Sequence, residues 1–157
     1  MALFLTGLVL GFSALQNAAQ AFAQQPNLAS LIPAAEAIVI ARVTDADYSR
    51  TPSDGPMLAR AKVLRSVKGR LRQDQVVEFT QTAWAGPNYK AGEVHVLFLE
   101  TSGANSWRIV SHLFAKPDFL IESDAIPLIT VNSLKSALEK LPPLETRRVV
   151  LTKKLLQ

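Results

Sequence analysis

The chain has 157 residues, no cysteine, and 17 basic against 13 acidic residues, for a formal net charge of +4. This length suits one domain, with a core large enough to fold without metals or cross-links. The lack of cysteine excludes a disulfide framework, a cysteine-ligated zinc site and a thiol nucleophile. The small cationic excess mildly favours anionic partners.

The N-terminal segment has the pattern of an export signal. Residues 3–15 are apolar or small, and the following polar stretch ends in Ala21, Phe22 and Ala23. A small-residue site of this kind predicts a signal peptide over residues 1–23, cleaved before Gln24, and a periplasmic or secreted protein. The alternative is a retained membrane helix, but such a helix needs about 20 apolar residues and this run is shorter. We therefore expect a mature form that does not span the membrane.

From residue 36 the middle of the chain alternates apolar and polar residues between clusters of turn-forming residues, which predicts β-strands. The first predicted strand, residues 37–43, begins with apolar residues on both faces. The fourth, residues 94–99, is also apolar on both faces and is predicted to be central. The second predicted strand ends at Lys68. The third covers residues 75–82, and its alternation puts Val77 and Phe79 on one face, with Val76, Glu78 and Thr80 on the other. Two more cover residues 107–111 and 119–121. Five or six short strands favour an all-β fold, a small OB-type barrel, over residues 36–141.

One helix is predicted after the strands. Leu134, Leu138 and Leu141 follow a helical spacing, which predicts a helix over residues 131–141 with Asn132 or Ser133 as its N-cap. Two prolines then end it. Residues 24–35 are predicted to form a leader. The basic tail, residues 142–157, is either a docked final strand or helix, or a frayed end.

Three segments carry a family resemblance. They read Ala-Ile-Val-Ile-Ala-Arg-Val at 37–43, Ala-Lys-Val-Leu-Arg-Ser-Val-Lys-Gly at 61–69 and Gly-Glu-Val-His-Val-Leu-Phe-Leu at 92–99. In this order they resemble the netrin-like domain of tissue inhibitors of metalloproteinases, in a cysteine-free form familiar from exported bacterial proteins. The resemblance spans roughly residues 36–121 and implies an OB-type barrel and binding rather than catalysis. The animal inhibitors coordinate the protease zinc through an N-terminal cysteine. This chain has no cysteine and a predicted new terminus at Gln24, so the zinc mechanism is not carried over.

Residues with catalytic or metal-binding potential are few. His95 lies between two valines of a predicted strand, where a tucked imidazole is at least as common as a general base, and His112 is predicted to be on the surface. No His-Glu-x-x-His or phosphate-loop motif occurs. Asp45 and Asp47 could bind calcium or act as paired acids, or they simply keep a strand end soluble. We therefore predict a protein that is not an enzyme and has no metal or small-molecule cofactor.

A basic stripe is the most distinctive predicted surface. Six cations fall within thirteen residues on the second predicted strand and the loop after it: Arg60, Lys62, Arg65, Lys68, Arg70 and Arg72. OB-type barrels bind oligonucleotides and oligosaccharides over strands 2 and 3, so the stripe could hold a glycan, a lipid headgroup or a nucleic acid. The alternative is that these charges protect a strand edge from aggregation.

Two functional hypotheses follow. The first is a protein-binding module of the cell envelope or extracellular space, which uses the loops at residues 51–56 and 83–90. Trp84 is its predicted anchor, with Tyr89 and Asp54 beside it, because aromatic loop residues dominate binding hot spots. The second is a polyanion-binding module that uses the basic stripe and loses affinity steeply with salt.

Overall fold

The computed structural model describes residues 31–47, 55–81, 89–103, 106–110, 119–140 and 149–157. The predicted signal peptide, Asp54, Trp84 and His112 lie outside these residues. The strands within them are β1 (Ala37–Asp47), β2 (Met57–Lys68), β3 (Val76–Gln81), β4 (Val94–Thr101), β5 (Trp107–Ile109), β6 (Phe119–Ile121) and β7 (Val149–Leu151). The helices are α1 (Leu31–Ala34), α2 (Val131–Lys140) and α3 (Lys153–Leu156), with a 3-10 turn at Ile126–Leu128.

Five strands close into a barrel in the order β1-β2-β3-β5-β4, with β4 pairing back onto β1. The closure depends on a short parallel contact between β3 and β5, in which Phe79 pairs with Trp107 and Thr80 with Arg108. The other barrel neighbours are antiparallel. This arrangement confirms the predicted all-β, OB-type barrel. It differs from a simple meander because β5 lies between β3 and β4 rather than after β4.

The barrel interior is filled by the inward residues of each strand, as period-2 alternation requires. Val77 and Phe79 face inward from β3, as the sequence predicted. The remaining members of this inner core are mostly small on β1 and β2 and larger on β4 and β5: Ala37, Val39, Ala41, Val43, Ala59, Ala61, Val63, Leu71, Tyr89, Leu97, Leu99, Trp107 and Ile109. Small residues on the long strands leave room for the aromatic rings inside the barrel.

A second core covers the outer face of β1 and β4. It is built from α1, α2, β6, β7 and the turn between β6 and α2, with these buried members: Leu31, Ile32, Ala35, Ile38, Ile40, Val96, Phe98, Val110, Phe119, Ile121, Ala125, Ile129, Leu134, Ala137 and Leu151. The double-sided burial predicted for β1 and β4 is thereby confirmed. The described part of the predicted tail is docked, because β7 pairs in parallel with β6 and Leu151 is buried.

Helix α2 begins at Val131, and its N-cap is Thr130 rather than Asn132 or Ser133. The Ser133 backbone N–H donates to Thr130 Oγ1 at 3.1 Å, and the Thr130 N–H donates to Ser133 Oγ at 2.8 Å. This reciprocal pair satisfies two backbone donors at the helix start. None of the helices in the described ranges is long and apolar enough to cross a membrane.

Candidate functional site

Strand β2 carries two extra residues relative to β1, at Leu64 and Val67, where the pairing register shifts. Neighbouring residues of β1 pair with Val63 and Arg65, so Leu64 is left over, and Val67 is left over in the same way before Lys68. A bulge of this kind re-aims the side chains that follow it. Arg65 and Lys68 consequently pair with Ile40 and Ile38, which face the outer core, so all four cations of β2 lie on its outer face.

The first two cations of the predicted stripe are exposed but paired. Arg60 Nε lies 2.9 Å from Glu78 Oε2 on β3, and Lys62 Nζ lies 2.8 Å from Asp74 Oδ1. About half of each Arg60 and Glu78 side chain is exposed, so each such pair contributes about 0.2–1 kcal/mol to stability. The pairs therefore matter more for neutralising this part of the face than for holding it together.

The next two cations are half-buried and bind backbone carbonyls of the outer layer. Arg65 Nη1 donates to the carbonyl oxygens of Ile126 at 2.9 Å and Pro127 at 2.8 Å. Lys68 Nζ donates to the carbonyl oxygens of Ile32 at 2.9 Å and Ala35 at 2.6 Å, at the end of α1. Arg65 and Lys68 are thus not part of a solvent-facing stripe. Their hydrogen bonds connect the outer layer to the barrel.

The last two cations of the predicted stripe lie in the loop between β2 and β3. The Arg70 guanidinium lies 5.6 Å from the centroid of the Trp107 ring, a cation–π distance. Arg72 is exposed, and its side chain has no hydrogen bond or ion pair with any described residue. Of the six predicted stripe residues, these two are the ones whose charged groups neither form an ion pair with a described acid nor donate to a described carbonyl.

Two hydrogen bonds beside this loop join Glu36, just before β1, to Thr101 at the end of β4; we call this pair the Glu36–Thr101 bracket. Glu36 Oε1 accepts hydrogen bonds from Thr101 Oγ1 at 2.6 Å and from the Thr101 N–H at 3.0 Å. These two hydrogen bonds, the side-chain one first, lower the pKa of Glu36, and the Arg70 charge adds to the effect. Gly69 passes close by with a φ of +91°, and an added Cβ there would lie 2.5 Å from the Glu36 carbonyl oxygen.

A groove of about 390 Å³ opens next to this bracket, where β3 and β5 separate. We call it the seam groove; its lining residues are Arg70, Leu71, Gln75, Val76, Val77, Glu78 and Trp107. Trp107 is only 7% exposed and forms an apolar wall, whereas Val76 is 59% exposed. Arg70 and Glu78 supply charges of opposite sign. The accessible lining of the groove is thus mostly polar, over a floor of nearly buried apolar residues and beside one exposed valine.

Of the three loop residues predicted to contact a partner, Tyr89 is the one within the described residues, and it does not line this groove. Tyr89 is 4% exposed and packs edge-on against Phe79, with ring centroids 5.4 Å apart, and against His95 at 5.0 Å. The structure corrects the expectation that Tyr89 lies on an exposed loop surface, because its ring fills the inner core. Asp54 and Trp84, which were predicted to lie beside it, fall outside the described residues.

The catalytic and metal-binding candidates within the described residues are His95, Asp45 and Asp47. His95 is 1% exposed inside the barrel, and its Nε2 lies 3.1 Å from Glu93 Oε2. A buried imidazole held by a neighbouring carboxylate agrees with the prediction of a tucked histidine. Asp45 is exposed and Asp47 is half-buried near the end of β1. Within the described ranges, no three His, Cys, Asp or Glu residues are grouped as metal ligands would be.

The predictions from sequence missed Val76, Glu78 and Trp107 as members of a common surface. One local signal was present, because Val76 and Val77 are adjacent in a strand and only one of them can face the core. No local pattern reveals that Trp107 approaches β3, since the two are far apart in the chain. Comparison with known proteins adds no further assignment: no protein-family model matches the chain, and no curated protein matches it significantly.

Proposed function

We propose that the chain is an exported, non-enzymatic binding module of the cell envelope or secretome, and that it contacts a protein partner through the seam groove. The observation that carries this proposal is the exposed Val76 side chain beside a groove walled by Trp107 and rimmed by Arg70 and Glu78. Tryptophan and arginine are enriched at binding hot spots. The proposal thus moves the contact surface from the predicted loops to the β3–β5 seam.

The exposed Val76 side chain differs from other exposed aliphatic side chains because it lies beside a groove. Single exposed aliphatic residues are common and need no explanation. Val150, at 42% exposed on β7, is such a residue and does not line the seam groove. Val76 instead lines a groove together with Leu71, Val77 and Trp107. A partner that enters the groove would therefore contact the Val76 side chain.

The charge distribution favours a protein over a polyanion. Two cations of the predicted stripe are neutralised by carboxylates, and Arg65 and Lys68 bind carbonyls of their own chain. A polyanion needs several cations in a row that are free to replace its counterions. A protein surface needs fewer charges, of both signs, around an apolar centre. The predicted signal peptide and the resemblance to a netrin-like binding domain support the same proposal.

The test is affinity capture with the purified chain as bait, against envelope and culture-supernatant extracts of the source cells. Three baits are compared: the natural chain, Val76→Asp, and Val150→Asp as a matched control with a charge on an exposed valine elsewhere. We expect a protein that stays bound above about 0.5 M salt, where surface charges are screened. It should be lost with Val76→Asp and kept with Val150→Asp.

Two results would contradict the proposal. One is a partner retained equally by both variants, which would place the interface elsewhere on the molecule. The other is recovery of only glycan, lipid or nucleic acid that elutes at modest salt and is lost when Arg60 and Lys62 are changed to Gln. That result would establish the polyanion alternative, because uncharged replacements abolish counterion release.

A further inference from the structure

We infer that the seam groove binds by strand addition: an extended, acidic segment of the partner pairs with the edge of β3 at residues 76–78. This inference rests on the proposed function and specifies the chemistry of its partner. It follows from three separate features of the groove, which are the pairing of β3, the direction of its backbone groups and the charges at its rim.

The first feature is a strand edge without a neighbour among the described residues. β2 pairs with β3 along the strand, from Val76 onward. On the opposite side, β5 joins β3 only from Phe79 onward. The Ser102 N–H donates to the Ser106 carbonyl oxygen at 2.8 Å, so the β4–β5 hairpin closes just before β5 begins. The hairpin turn therefore limits how far β5 can extend back along residues 76–78.

The second feature is the direction of the backbone groups along this edge. Gln75 offers its carbonyl oxygen to β2, where it accepts from the Val63 N–H at 2.8 Å. In an antiparallel pair, successive residues direct their N–H and C=O groups to alternate sides of the strand. Gln75 and Val77 therefore bond toward β2, and Val76 and Glu78 direct their N–H groups toward the groove. These N–H groups are the donors that an added strand needs.

The third feature is the set of apolar and charged side chains in the groove that could contact the side chains of an added segment. Val76 and Trp107 provide apolar contacts, and alternate residues of an extended segment point to the same face. The acid in the groove, Glu78, is paired with Arg60, whereas Arg70 lines the groove with no direct ion pair to a described acid. Arg72 is close in the chain, and its backbone N–H donates to the side chain of Gln75, another lining residue. The excess charge at the rim is therefore positive. It favours a segment in which apolar residues alternate with Asp or Glu.

The probe for the test is a synthetic peptide of about six residues, a usual strand length, in which valine and glutamate alternate. Two further peptides are its controls: one with lysine in place of glutamate, and one with the same side chains but N-methylated at alternate residues. Amide hydrogen exchange of the isotope-labelled chain is followed by NMR with about 1 mM of each peptide, which detects even millimolar binding. The Val76 and Glu78 amides report directly on the added strand.

We expect the valine–glutamate peptide to slow exchange at Val76 and Glu78 by about twofold or more, the value for a Kd equal to the peptide concentration. The lysine peptide and the N-methylated peptide should give no such protection. Arg70→Gln should weaken binding of the acidic peptide, whereas Arg42→Gln, which removes an exposed arginine from β1, should not. Unchanged exchange at both amides would overturn the inference, as would equal protection by the N-methylated peptide.

The inference and the proposed function can fail separately. If affinity capture depends on Val76 but the peptide leaves both amides unprotected, the groove binds a protein through side chains alone and strand addition is wrong. If capture is insensitive to Val76→Asp, the proposed contact surface itself is wrong, whatever the peptide does.

Discussion

Gly69 is the position where a single added methyl group should harm the fold most directly. Its φ of +91° is unfavourable for any residue with a Cβ, and the added atom would lie 2.5 Å from the Glu36 carbonyl oxygen and 2.9 Å from Ala37 Cα. Both contacts are with backbone at the start of β1, where Ala37 is completely buried. The main chain cannot move away without disturbing both β1 and the Glu36–Thr101 bracket.

The expected cost of Gly69→Ala has two parts. The left-handed conformation costs about 1–2 kcal/mol for a residue with a Cβ. Overpacking against buried backbone adds about 1–3 kcal/mol. Together they remove about 2–5 kcal/mol from a folding free energy that for ordinary domains is about 5–15 kcal/mol.

Gly92→Ala is the matched control for this prediction. Gly92 has nearly the same φ, +90°, but an added Cβ would meet nothing within 4 Å. The conformational cost and the unfolded-state effect of Gly→Ala are therefore common to both variants, and their difference isolates the clash. Urea denaturation followed by tryptophan fluorescence measures it. If Gly69→Ala costs no more than Gly92→Ala, the argument from close approach is refuted.

Three further predictions concern Lys68, Glu36 and His95. Lys68→Met should destabilise by about 2 kcal/mol in urea denaturation because two carbonyl oxygens lose a charged donor; Arg72→Met should change stability by less than about 0.5 kcal/mol. Glu36→Gln should lower the melting temperature above pH 4.5, where the Glu36 carboxylate is ionised. The difference in melting temperature between the natural chain and the variant should vanish as pH falls through the lowered pKa of Glu36, because a protonated carboxyl no longer gives the stabilisation of the carboxylate. A difference that persists in acid would contradict this. His95→Ala should cost about 2–4 kcal/mol in the same denaturation assay, by opening a cavity in the inner core, and a cost below 1 kcal/mol would show that the barrel end collapses around the gap.

The parts of the fold that the sequence predicted are those encoded by local burial. β1 and β4 are apolar at successive residues, and a strand with that pattern must be covered on both faces. Val77 and Phe79 were assigned to the core by simple alternation. The closure between β3 and β5 was not predictable in this way, because it involves two residue pairs that join distant segments. Nothing in the composition of either strand marks the other as its neighbour.

The candidate site was harder to predict because its residues depend on irregular backbone. The basic stripe was derived from sequence spacing, and the register shifts at Leu64 and Val67 keep Arg65 and Lys68 on the outer face of β2. The outer layer covers that part of the face, and its carbonyls accept hydrogen bonds from both side chains. The position of each bulge is set by how β1 and β2 pair, which sequence alternation does not report. Tyr89 does lie outside the strands, as predicted, but its ring is buried in the inner core, which its position in a loop did not reveal.

Strand β1 forms a wall that the two cores share. Its first five residues are completely buried, with Val39 facing the inner core and Ile40 the outer one. Neither core can open while the other stays intact, since the loss of β1 exposes both. The barrel and its outer layer should therefore unfold in one cooperative step, and the amides of Val39 and Ile40 should exchange only through global unfolding, at the same rate.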